Sequence, residues 1–330
     1  MTRKYFDHDA DLGFLTDKVV SILGYGNQGS SQAMNLRDSG INVIVGSNLH
    51  DESEARAKRD GFRVASFEEC VLQADVLMLL LPDEILPRIF HDVIQSRLRP
   101  RHVLCFASGY NVYYKLITLP AFVDVVMLAP RMIGRAVREL FLQGSGAPAL
   151  VAVGQDASGQ AHQIVLALAK GIGVTRTLAL ESSFEEETIA DLLGEQAACG
   201  AMLFLSRMVC EVLMEAGCSP EAALLEVYAS GENIAIAKAI NELGLWNQLR
   251  LHSRTSQYGH QTRGPRLVTE ETRDNLRQLV SEIKDGTFQR EWTRIQAEGM
   301  RDFDAVWEDN LQHPILAYED QLYRILGRRK

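Results

Sequence analysis

The sequence predicts an α/β protein: a Rossmann-like doubly wound parallel sheet in residues 1–181, followed by an all-helical domain in 182–330. Three observations lead there. A short apolar strand runs straight into a glycine-rich turn and a helix. Continuous apolar segments then alternate with helical ones. From about Ser182 the strand pattern stops and everything reads helical. A chain of 330 residues can form two domains with a full core each.

Lys18–Leu23 is the first strand, and it enters Gly24-Tyr25-Gly26-Asn27-Gln28-Gly29 directly. A helix is predicted over Ser30–Ser39 and a second strand over Asn42–Val45. In this strand–GxGxxG–helix–strand context Gly24 makes the tight turn and Gly26 lets the backbone approach a pyrophosphate. Gly29 permits close helix–strand packing. The anion sits on unpaired N–H groups at the helix N-terminus. Asp75–Leu81, ending in Pro82-Asp83, then His102–Phe106, Val123–Leu128 and Pro148–Val153 are apolar throughout, as strands covered on both faces are. A helix follows over Gln160–Lys170. Ligands bind beyond the carboxyl ends of such strands, which gathers Leu81 and Pro82, the Ala107-Ser108-Gly109-Tyr110-Asn111 turn and Ala129-Pro130-Arg131 around one crevice.

In the second half, Glu185–Gly217 reads as one long helix, apolar almost all round after its first turns and therefore expected to be buried against other helices. Asp191 and Glu195, four residues apart, share a face. Two carboxylates in an apolar wall repel and cost desolvation, so a hard cation such as Mg²⁺ would compensate them. A solvated acidic edge continuing Glu185, Glu186 and Glu187 is the alternative. Ser219-Pro220-Glu221 opens a further helix, and Thr269–Thr272 opens another that Asp285-Gly286 closes. Between them His252–Gly259 reads as an irregular, hydroxyl-rich stretch, either a substrate contact or a plain connector.

Composition excludes several classes. A net charge of -9 without a basic stripe, beyond Arg328-Arg329-Lys330 at the end, argues against nucleic acid. Five scattered cysteines suit reduced core thiols and a cytoplasmic location. The first fifteen residues lack the apolar core of a signal peptide. Asp191, Glu195, Arg207 and Glu211 interrupt the apolar run at 189–216, which argues against a membrane span.

In order along essentially the whole chain, the motifs ILGYGNQG, NLRDSG, ADVLMLLLPDE, DLLGEQ, SRTSQYG with GPRLV after it, and DGTF with REW resemble the ketol-acid reductoisomerase family, in its shorter type. The resemblance implies a Rossmann domain followed by a knotted all-helical domain, and a homodimer in which helices of one subunit complete the active site of the other. It implies alkyl migration in a 2-acetohydroxy acid, assisted by two Mg²⁺ ions and followed by hydride reduction. Asp191 and Glu195 match the first metal ligands, Glu226 a third contributed across the dimer, and Ser253 the serine that touches substrate.

Three positions depart from the family pattern. Ser230 stands where a second downstream glutamate is expected, Ser108 where the family has histidine, and Arg131 where it has lysine. Glu232 lies six residues after Glu226, about 120° round a regular helix, so only a distortion at Gly231 would restore it. Serine loses the residue suited to proton transfer near neutrality, and arginine keeps charge but not size. One Mg²⁺ site is therefore expected and a second is doubtful, with Ser230 and Glu232 facing substrate. The primary reading is a nicotinamide-dependent oxidoreductase acting on a C=O or C=N of a non-standard substrate in a specialised pathway. The alternatives are an authentic ketol-acid reductoisomerase, converting 2-acetolactate to 2,3-dihydroxyisovalerate, and a non-catalytic dinucleotide-binding protein. Members that use NADP carry an arginine and serines after the second strand; here Asn48 and Asp51 replace the arginine and the first serine, with Ser53 alongside. A carboxylate there favours NAD over NADP. Asp51, with Glu54 three residues on, also suits a helix cap.

Overall fold

The computed structural model describes residues 2–47 and 51–329, and the chain divides into two compact units, Met1–Ala190 and Asp191–Lys330. In the first unit the strands and helices alternate: β1 (Lys4–Tyr5), β2 (Val19–Leu23), α1 (Asn27–Asp38), β3 (Asn42–Gly46), α2 (Glu52–Arg59), β4 (Arg63–Ala65), α3 (Phe67–Gln73), β5 (Val76–Leu79), α4 (Leu86–Ile89), β6 (Val103–Phe106), α5 (Tyr110–Tyr113), β7 (Asp124–Pro130), α6 (Gly134–Leu142), β8 (Ala149–Gln155), α7 (Ala161–Gly171), β9 (Ala179–Glu181) and the start of α8 (Phe184–Leu193). Among the described residues these strands form one sheet in the order β1-β9-β8-β7-β6-β5-β2-β3-β4. The order reverses between β2 and β5, and that switch point opens the crevice beyond the strand ends.

Period-two side-chain alternation sorts each strand onto two cores. Val20 and Ile22 of β2, Val76 and Met78 of β5, and Val103 and Cys105 of β6 join one buried cluster with α7. Leu23, Leu77, Leu79, Leu104 and Phe106 join the other with α3.

The sheet is mostly parallel, as the sequence predicts, with two antiparallel pairs among the described residues. β8 runs antiparallel to β7, with Ala149 paired to Pro130, and β1 runs antiparallel to β9. Between β7 and β8, α6 packs on α1 through Asn35 Nδ2 to Val137 O at 3.4 Å and Arg138 Nη1 to Asn35 Oδ1 at 2.8 Å, and residues 143–148 lead back to the edge that β7 left. The chain thus starts β8 at the end where β7 finished.

The second unit contains α9 (Gly200–Glu215), α10 (Pro220–Leu224), α11 (Glu232–Leu243), α12 (Arg254–Leu267), α13 (Glu270–Lys284), α14 (Thr287–Ala297), α15 (Arg301–Leu311) and α16 (Ile315–Ile325). Its buried cluster is small: Cys210, Ala223, Leu224, Ala229, Ile315 and Leu322. Two expectations are corrected here. The helix over Phe184–Glu215 is continuous for 32 residues, but only 6% of its most apolar window is buried. Leu203 is 67% exposed, and Met202, Phe204, Met208 and Val212 are exposed with it. A helix apolar all round needs cover on every side, and this chain supplies it on few. By length and composition the helix could also cross a membrane. The stretch around His252–Gly259 is helical rather than irregular, because Ser253 caps α12 by accepting the Ser256 N–H at 3.2 Å.

His102, just before β6, is fully buried. Burial, and then the neighbouring Arg99 cation, push its imidazole down to about 4. Above the ordinary histidine value the ring is neutral in both folded and unfolded chains. Below it the unfolded chain takes up a proton that the fold refuses, so stability falls until the folded value is passed. Between pH 7 and pH 4.5 this site is expected to cost about 2–3 kcal/mol. Urea midpoints of the parent and a His102→Gln variant at the two pH values check this: the variant should show the smaller pH-dependent loss.

Candidate active site

The glycine turn follows from three missing Cβ atoms. Gly24 has φ +102, and a Cβ there would lie 2.6 Å from Leu80 O. A Cβ on Gly29 would lie 1.9 Å from Gly24 O, whereas one on Gly26 would meet nothing within 4 Å. The first and third glycines are therefore packed against backbone, and the second leaves open space for a ligand. α1 begins at Asn27, earlier than the sequence predicts, so Asn27, Gln28 and Gly29 form its first turn. Beside it lies a cavity of about 500 Å³ lined by the glycine turn, Ser53, Leu79–Asp83 including Leu81 and Pro82, Leu86, and Phe106-Ala107-Ser108.

Tyr25 turns its ring away from solvent. Its hydroxyl donates to Asp60 Oδ2 at 2.8 Å, and its carbonyl accepts from Arg56 Nη2. Burial first, then Asp60, raise its pKa, so Tyr25 meets the cavity through backbone and stays protonated. Asp51 caps α2: its Oδ1 accepts the Glu54 N–H at 2.9 Å and the Ser53 hydroxyl at 2.6 Å. Those bonds, Ser53 first, hold its carboxyl below the usual aspartate value. Asn48 lies outside the described residues.

On the other side of the cavity, Ser108 Oγ accepts the Tyr110 N–H at 3.2 Å. The next residue reveals a group that sequence reasoning passed over. Glu187, 1% exposed, accepts the Gly109 N–H on Oε2 at 2.6 Å and pairs with Arg131 Nη1 through Oε1 at 3.2 Å. A Cβ on Gly109 would lie 2.3 Å from Phe184 O and 2.5 Å from Thr188 Oγ1, so only glycine fits. Glu187 thus joins the loop after β6 to the loop after β7. Its signal was available: it precedes Asp191 by the same four residues that separate Asp191 from Glu195. Asp83 was missed as well; it lines the cavity and accepts Asn111 Nδ2 at 2.9 Å.

In the second unit, Glu195 lies in a π-helical turn (Gly194–Cys199) and Glu226 in another (Leu225–Ala229). Such turns are rare and often mark functional positions. Among the described residues no three His, Cys, Asp or Glu side chains gather as a metal site, so the chain itself does not bring Glu226 to Asp191 and Glu195. The distortion at Gly231 that the sequence left open is present: Gly231, φ +92, breaks the helix and Glu232 opens α11, its N–H donating to Ser230 Oγ at 3.3 Å. Ser253 spends its hydroxyl on the α12 cap.

A doubly wound sheet whose glycine turn faces a cavity at the switch point is the architecture of a dinucleotide-binding protein. The family model described as "Acetohydroxy acid isomeroreductase, NADPH-binding domain" matches residues 14–177, and "Ketol-acid reductoisomerase, C-terminal domain" matches 184–327. The chain is similar to the ketol-acid reductoisomerase (NADP(+)) of Pyrobaculum calidifontis, 42% identical over 99% of both chains. It is 41% identical over 88% of each to that of Pyrococcus abyssi. Its structure resembles that of an NADH-preferring ketol-acid reductoisomerase from an uncultured archaeon, with TM-score 0.93, 35% identity and 98% of each chain covered. The chain belongs to the ketol-acid reductoisomerase family, and that membership sets aside the non-catalytic reading.

Replacing Glu187 by Gln leaves an acceptor for Gly109 but removes the charge that faces Arg131. Glu187→Gln is expected to lower stability by about 1–3 kcal/mol and turnover by at least about tenfold. Thermal unfolding and steady-state kinetics check the two effects.

Proposed function

We propose that the protein is an authentic ketol-acid reductoisomerase, acting on a 2-acetohydroxy acid such as 2-acetolactate. The Glu187–Arg131 pair beside the cofactor cavity carries this reading. It retains a fixed cation at a position where the sequence departs from the family, which weakens the case for a non-standard substrate. Full-length likeness to proteins named as ketol-acid reductoisomerases supports the same conclusion. Arg131 holds a substrate oxyanion, Ser108 offers a hydroxyl at the cavity edge, and Glu187 orients both loops.

NADH is the preferred reductant in this proposal. Asp51 would accept hydrogen bonds from ribose hydroxyls and repel a 2′-phosphate, and Ser53 already donates to it. Asp191 and Glu195 suit one Mg²⁺, which manages with one or two carboxylates plus water, and Glu226 of a second subunit would complete the set. Ser230 adds no charge for a second ion. When bound, these groups would supply the hydride and polarise the substrate oxygens.

The exposed apolar face of the long helix is assigned to a homodimer rather than to lipid, because the helix also carries Asp191, Glu195, Arg207 and Glu211 and its domain matches a ketol-acid reductoisomerase family model. A cytoplasmic location is part of the same proposal, in keeping with five cysteines and no disulfide among the described residues. Sedimentation at micromolar concentration should show a dimer, and Leu203→Glu with Phe204→Glu should shift it to monomer with loss of activity; a stable parent monomer overturns this.

Cofactor titration should give tighter binding of NADH than NADPH by about tenfold. Asp51→Ser keeps a cap and removes the charge, and should narrow or reverse that preference. NADH oxidation with Mg²⁺ and 2-acetolactate at about 1 per second or faster is expected, and its absence would return the protein to the non-standard-substrate reading.

A further inference from the structure

Asn27 and Gln28 line the cavity, yet their side chains are committed elsewhere. Gln28 Nε2 donates to Met132 O at 2.8 Å, while its Oε1 accepts from Gln32 Nε2 at 3.0 Å. Gln32 is fully buried, so the Gln28 amide is oriented from beneath. Asn27 Oδ1 accepts the Arg135 N–H at 3.1 Å. Between these two bonds, a Cβ on Gly134 would lie 2.1 Å from Asn27 O. Three successive contacts therefore dock the β7–α6 loop onto the first turn of α1.

Side-chain burial at the loop's centre is slight. Met132 is 39% exposed and Ile133 is 68% exposed, so apolar burial contributes little to its position. Arg131 stands at the head of the loop, with its own N–H on Pro148 O at 2.8 Å. The contacts close a ring: from the glycine turn through Gln28 and Asn27 to the loop, through Arg131 to Glu187, and through Gly109 back to Ser108 at the cavity edge.

We propose that Gln28 and Asn27 are positioning residues, clamping the β7–α6 loop so that Arg131 takes its place relative to the bound cofactor. This rests on the reading of Arg131 as a substrate-binding cation. The cofactor turn and the substrate cation are then set by one rigid unit. A displacement at Gln28 reaches the reaction through Arg131, not through cofactor affinity.

The test is Gln28→Met, which fills a similar volume and cannot donate to Met132 O. With NADH and 2-acetolactate, kcat should fall about tenfold to a hundredfold and the substrate KM should rise. The NADH dissociation constant should stay within about threefold. Hydrogen exchange of the peptide spanning residues 131–136 should speed up while the rest of the first unit keeps its protection, and Asn27→Ala should do the same through the Arg135 amide. A loss carried wholly by NADH affinity, or an unchanged exchange rate in that peptide, overturns the proposal. If the parent turns over no 2-acetolactate, the functional assignment fails alone, and the exchange rate and NADH affinity still decide the clamp.

Discussion

A carboxylate sealed from water is the constraint on which the site depends. Glu187 is almost wholly buried, and an ionised carboxylate there is tolerable only with strong partners. It has a backbone N–H from Gly109 and the guanidinium of Arg131. Meeting those needs draws two separate loops toward the first turns of α8. The close approach of Phe184 O and Thr188 Oγ1 to Gly109 leaves no room for a side chain. The desolvation cost of one group thereby becomes the precision of the pocket.

The cofactor half is organised by steric rather than electrostatic limits. Strands β3, β2, β5 and β6 lie side by side, about 4.8 Å apart. Their carboxyl ends present in turn the Asp51 cap region, the glycine turn, Asp83 and Ser108. A dinucleotide laid along this edge would meet one device per strand. Asp51 caps α2 through one oxygen, which accepts the Glu54 N–H and the Ser53 hydroxyl.

The helical unit has the opposite problem. Its buried cluster is small and its longest helix is apolar on faces that the chain leaves uncovered. Asp191 lies in the regular helix α8, but Glu195 and Glu226 sit at π-helical turns and Glu232 at a break beside Gly231. Both features rotate side chains away from where a regular helix would put them, and so angular bookkeeping from sequence fails there.

Sequence alone determined the strands β2, β3, β5, β6, β7 and β8, the glycine turn and the Asp51 cap, because each depends on a local rule: apolar runs, absent Cβ atoms, and a carboxylate three residues before a helix N–H; the short strands β1, β4 and β9 carry no such run and were not legible. The Asp191 and Glu195 spacing was equally local. Tertiary structure alone decided the reversal of β8, whose apolar run reads the same in either direction, and the helical state of the Ser253 segment, where a serine cap opens a helix despite a hydroxyl-rich composition. It also decided the role of Glu187, whose partners lie 56 and 78 residues away. A glutamate in the first turn of a helix looks like an ordinary solvated charge, and only the two loops folded against it remove the water.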